Sequence, residues 1–196
     1  MSRLEPFAVF AAAALAMLTF DVLTHLVTAH CLVESYLPPF RDPPFSSPLP
    51  LHHALHVGLT DGWLPSAFFG LFVALAARFG SWPKRSLRDL QRPLGVLFVV
   101  MSLAAVTGGA GFTTIEAGGG QLVPDHSRYV GDGPGMLRLA FVVGVQETAA
   151  SVRLLGGVIL CGAVVVGRMR EDWREVVRRA NARRAEVAAA VTEGRE

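Results

Sequence analysis

Charge is what this sequence has least of. Asp, Glu, Lys and Arg make up 17% of the 196 residues, against about a quarter in a soluble domain. The deficit falls in a few long apolar runs, the pattern of helices that cross a bilayer. Lysine is nearly absent, with Lys84 alone against seventeen arginines. Together with the abundant Ala, Gly and Val, that bias suggests a GC-rich bacterial genome. A net charge of +2 provides no global basic field for nucleic acid, so none is expected as a partner. Cysteine is represented by Cys31 and Cys161. They fall at different depths, so no disulfide is expected, and no metal-type Cys spacing exists. Also lacking are GxSxG, HExxH and a Walker A loop. The Gly118–Gly120 run follows no strand, so it is not read as a phosphate cradle. No CxxCH is present, so any haem would be non-covalent. No internal repeat points to an inverted-repeat transporter.

What is present is a set of apolar spans. The first is expected over about 6–29, preceded by Arg3. It is too long for a signal-peptide core, Asp21 and His25 interrupt its end, and His30 precedes Cys31 where a lipobox needs a small residue. An uncleaved span is therefore expected. Pro38-Pro39, Pro43-Pro44, Pro48 and Pro50 then impose an extended loop. The second span is expected over 63–79, with Asp61 as its N-cap, Pro65 in its first turn and Trp63 as an interfacial anchor. The third is expected over 93–112, opening on Pro93. Its second half is rich in small residues (Ser102, Ala104, Ala105, Gly108 to Gly111) that allow close helix approach. Residues 113–146 read as a Gly-rich loop, within which Met136 to Val145 is apolar but too short to span and is expected at the interface. The fourth span is expected over 148–167.

The expected architecture is an all-α integral membrane protein. A four-transmembrane-helix bundle occupies residues 1–170, and an amphipathic C-terminal cytoplasmic helix occupies 171–196. Trp173, Val176, Val177, Ala180, Val187 and Val191 recur at helical spacing in that tail, and Glu175 and Arg179 form a favourable i, i+4 pair. The tail reads as lying on the inner leaflet or pairing with a partner helix. Fourteen bases flank the spans on one side (Arg3, five in the 78–92 connection and eight in the tail), against Arg41, Arg128 and Arg138 on the other. Basic flanks face the cytoplasm. Both termini are therefore expected inside, and the implied location is a bacterial inner membrane.

Chemistry, if there is any, is expected on the outer half. Asp21, Thr24, His25 and Thr28 recur at i, i+3, i+4 and i+7, one polar stripe inside an apolar helix. An ionisable group there is costly unless it faces protein or water. Arg153 enters the fourth span at a depth that agrees with Asp21 to within about a turn. It shares a small-residue face with Gly157 and Cys161. Asp21, Thr24, His25 and Arg153 are thus the expected buried polar cluster. All six histidines fall on the outer half, and imidazole beside carboxylate suits Zn, Cu or Fe. The candidate metal ligands are His52, His53, His56, Glu34, His30 and His126. Solvated loop histidines are the plain alternative, and non-covalent haem between His25 and His56 is a remoter one. The leading function is a non-enzymatic membrane subunit or accessory protein acting through helix contacts. It would associate with other membrane subunits or with copies of itself. The alternatives are an outward metal or haem redox centre and a small proton- or ion-coupled transporter acting as an oligomer.

This topology is checked with single cysteines at residues 84 and 119, in a chain whose Cys31 and Cys161 are replaced. Residue 84 should react only after the inner face is opened to an impermeant maleimide, and residue 119 from outside. Labelling of residue 84 from outside contradicts the topology.

Overall fold

The computed structural model describes residues 4–32, 49–120 and 133–193. They form four helices, α1 (Glu5–Cys31), α2 (Pro50–Arg78), α3 (Leu87–Ala117) and α4 (Pro134–Glu193), with no strand among the described residues. All four are long and apolar enough to cross a membrane. Cys31 and Cys161 are free thiols.

The helices overrun the expected spans. α2 begins at Pro50 and not near Trp63, so Asp61 is an exposed mid-helix residue and not a cap. Pro50 suits a helix start because it has no N–H to satisfy. Pro65 and Pro93 both lie inside helices. Each removes one backbone bond, a loss that apolar helices tolerate when neighbours pack around the site. α3 starts at Leu87 behind a capping box. The Ser86 hydroxyl accepts from the Asp89 backbone N–H, and the Asp89 carboxylate accepts from the Ser86 N–H at 2.8 Å. The largest departure is in α4. The expected interfacial piece, Met136 to Val145, and the tail through Glu193 belong to one continuous helix of 60 residues. That is roughly 90 Å at 1.5 Å per residue. A helix that leaves the bilayer needs no apolar run to continue, so polar residues such as Gln146 and Glu147 interrupted the hydropathy without ending the helix.

α1 packs along α2, and α3 along α4; α1 also meets α3 and α4, and α2 meets α4. Val9, Met17 and Phe20 of α1, Val73 of α2, Met101 of α3 and Val145 of α4 contribute to one shared core. Phe20 meets Phe98 edge to face at 6.3 Å. Within lipid the driving force for such a core is close van der Waals fit, since apolar area gains little by leaving lipid for protein. Glycine provides that fit. A Cβ at Gly70 of α2 would stand 2.6 Å from the Phe10 carbonyl oxygen of α1, and one at Gly58 2.8 Å from the Val22 Cα. On α3, a Cβ at Gly108 would reach within 2.0 Å of the Thr148 Oγ1 on α4, and one at Gly109 within 2.6 Å of Val145. Gly111, in the same small-residue run, faces open space.

The basic connection between α2 and α3 is tied down by polar bonds. Arg78 pairs with Glu5 at 2.9 Å, and Arg85 with Glu171 at 2.9 Å. The start of α1, the end of α2, the start of α3 and residue 171 of α4 therefore share one end of the bundle. Arg168 is 1% exposed. Its guanidinium donates to the carbonyls of Ala76, Phe79, Trp82 and Pro83 at 2.6 to 3.1 Å. It also stacks on the Trp82 ring at 5.8 Å. These carbonyls belong to the last turn of α2 and the loop after it, where intrahelical donors run out. Gly80 turns the chain there with φ at +88°, a backbone region that favours glycine.

Arg168→Gln should lower the unfolding free energy by about 3 kcal/mol, since several charge-assisted bonds are lost. Arg168→Lys should recover only part, because an ammonium cannot reach so many acceptors in one plane. Thermal unfolding in detergent micelles measures both. A neutral Arg168→Gln would show that water replaces the guanidinium at no cost.

Candidate functional site

The sequence stripe on α1 supplies the carboxylate of the site. Asp21 is 7% exposed. Its Oδ1 accepts from Arg153 Nη1 at 2.7 Å, and its Oδ2 lies 3.5 Å from the Ser66 hydroxyl, which donates to it. Three helices thus converge on one carboxylate, with Arg153 from α4 and Ser66 from α2. Gly62, one turn before Ser66, presses its backbone against Asp21. A Cβ there would come within 2.9 Å of the Asp21 Cβ and Oδ2. Breaking a pair of this kind costs more than the pair itself contributes, because the surviving charge remains in a poor solvent.

The remaining stripe residues are turned to other bonds. The Thr24 hydroxyl donates to the Phe20 carbonyl at 2.9 Å, and the Thr28 hydroxyl to the His25 carbonyl at 3.1 Å. Both are bonds within α1, the usual outlet for a hydroxyl inside a helix. His25, one turn beyond Asp21, is half-buried. Ser66 and Gly62 escaped the sequence reading. The signal was present as Ala54, Gly58, Gly62, Ser66 and Gly70 at every fourth position. Part of that row precedes the span that hydropathy marks over 63–79.

The histidine candidates divide. His52, His53 and His56 share α2, so the i, i+4 pair lies on a helix. His53 is buried at 1% exposure, while His52 is exposed and His56 half-buried. Successive positions on a helix point about 100° apart, so His52 and His53 face different sides of α2, while His52 and His56 share one face. His30 is exposed at the end of α1, and its Nδ1 lies 2.8 Å from the Leu26 carbonyl. Glu34 and His126 lie outside the described residues. Among the described residues, no three His, Cys, Asp or Glu side chains group as a metal set.

A cleft of about 710 Å³ separates α2 from α4 below the ion pair. Phe68, Phe72 and Leu75 line one wall and Leu154, Val158 and Cys161 the other, with Arg153 at the end nearest Asp21. No family model matches this chain, and no curated protein or solved structure matches it.

Asp21→Asn should destabilise the bundle by about 3 kcal/mol, since it strands the Arg153 charge. Asp21→Asn combined with Arg153→Gln should recover part of that loss, because no charge is then left alone. Denaturant unfolding in micelles measures the cycle. A double variant as unstable as the two single losses added together would show that the two residues act independently.

Proposed function

We propose that the protein is a non-enzymatic integral membrane subunit that acts through helix contacts. Its polar site around Asp21, His25 and Arg153 lies toward the outer leaflet, and both termini lie in the cytoplasm. Taking the level of Glu5 and Arg168 as one edge of the hydrocarbon, Asp21 and Arg153 stand roughly 22–24 Å from it at 1.5 Å per residue. That depth lies in the far leaflet of a core about 30 Å thick. The bases gathered at the Arg168 end support a cytoplasmic position for that end through the positive-inside bias. A bacterial inner membrane is the setting that fits this charge distribution and the arginine-rich composition.

The observation that carries this reading is the continuity of α4. One helix holds Arg153 against Asp21, anchors on the α2–α3 connection through Arg168, and then runs on as a charged helix. On that extension Trp173 is 68% exposed and Val176 50%. Arg178 and Arg179 both pair with Glu175 of the same helix. Glu175 is thus paired within the helix, and Trp173 and Val176 are exposed on the same extension. Exposed Trp and Val at helical spacing support a surface for another helix. A helix continuous with the span also favours a partner helix over the inner leaflet as the place where the tail rests. The site itself supports a structural role. The carboxylate and guanidinium satisfy each other's charge, and glycine and serine from α2 fit around them.

A photo-crosslinking residue at Val176 of the full chain, expressed in cells, tests the reading. The expected product is a discrete adduct with another membrane protein or with a second copy, identified by mass spectrometry. Lack of any protein adduct at Val176 and at its neighbour Trp173 contradicts the proposal.

A further inference from the structure

The cleft between α2 and α4 has a volume, about 710 Å³, within the range of small-molecule sites. It opens sideways, because its wall residues are well exposed; Phe72 is 58% exposed and Val158 66%. It follows α2 from Pro65 to Ala76, about 16 Å of helix. That direction is parallel to the helices and hence to the chains of a surrounding bilayer. Its wall is apolar except at one end, where Arg153 stands.

Arg153 has five N–H donors in a fixed fork. One is used by Asp21; the side chain lines the cleft and is 28% exposed. Donors facing hydrocarbon cost free energy unless an acceptor is supplied. An occupant must therefore bring an acceptor to this end and an apolar chain to the remainder. The acceptor need not be charged, because Asp21 already neutralises the guanidinium. A second full anion would compete with that carboxylate.

We propose that the cleft binds a diacyl lipid of the bilayer, with one acyl chain lying between α2 and α4 and its ester carbonyl accepting from Arg153. The bilayer delivers such a molecule through the open side of the cleft. On the depth above, Arg153 stands roughly 6–8 Å inside the outer edge of the core, so the ester carbonyl dips inward to meet it. The proposal deepens the Asp21–Arg153 site and rests on that pair being structural, but it needs no protein partner.

The test is native mass spectrometry of the full chain reconstituted with equal amounts of ester-linked and ether-linked phosphatidylcholine of matched chain length. The wild type should retain the ester lipid about tenfold over the ether lipid, the effect of one hydrogen bond to a charged donor. Asp21→Asn with Arg153→Gln, which leaves no stranded charge, should bind both lipids alike. Val158→Trp, which fills the cleft from its exposed wall and leaves the ion pair in place, should retain neither. Equal retention of ester and ether lipids by the wild type overturns the proposal, as does undiminished retention by Val158→Trp. Co-purification of an isoprenoid quinone or a free fatty acid in place of a diacyl lipid also overturns it. If lipid binding fails while the Val176 adduct persists, the cleft assignment falls and the subunit reading stands.

Discussion

A carboxylate inside hydrocarbon must find a partner, and the placement of Asp21 follows from that constraint. Its charge on α1 requires a cation at equal depth, which fixes the rotation and height of α4. Its second oxygen draws in Ser66, and the small volume of Gly62 lets α2 close over the pair. An apolar bundle in lipid has little to specify which helix faces which, because lipid and side chain are equally greasy. One buried ion pair at 2.7 Å supplies the specificity that apolar contact lacks. The stability it adds is modest, and its value lies in the cost of any arrangement that leaves either charge alone.

Arg168 applies the same logic at the opposite end of α4. There the unsatisfied groups are backbone carbonyls where α2 ends, and a buried guanidinium gathers them. The two arginines hold α4 at two heights roughly 22 Å apart, one against a side chain and one against main chain. The helix between them forms one wall of the cleft.

Much of this was legible in the sequence, for identifiable reasons. The four apolar runs gave four helices because a bilayer imposes a minimum length. The stripe through Asp21 could be read because a charge in an apolar helix is rare and carries a large penalty. Arg153 could be matched to it because depth along a helix is proportional to residue count. The helix boundaries were not legible. Pro65 and Pro93 resembled starts because helix starts are where proline is cheapest, yet both helices run on through them. Residues 50–62 resembled a loop because their histidines lower the hydropathy, although Ala54, Gly58 and Gly62 form a packing face. Arg168 could not be distinguished from the tail arginines, since capping carbonyls on another helix leaves no mark on local spacing. Among the histidines, which shared sidedness in the sequence suggested as a cluster, His52, His53 and His56 take different environments on one helix, and Glu34 and His126 lie outside the described residues.

The most direct test of the account is the contact between Asp21 and Arg153 in a bilayer. Solid-state NMR of the protein in lipid, with labelled aspartate and arginine, measures the dipolar coupling between the Asp21 Cγ and the Arg153 guanidinium nitrogens. The account predicts a coupling at direct hydrogen-bond range and a carboxyl shift typical of an ionised group. Absence of that coupling, with the Asp21 carboxyl protonated, would contradict it.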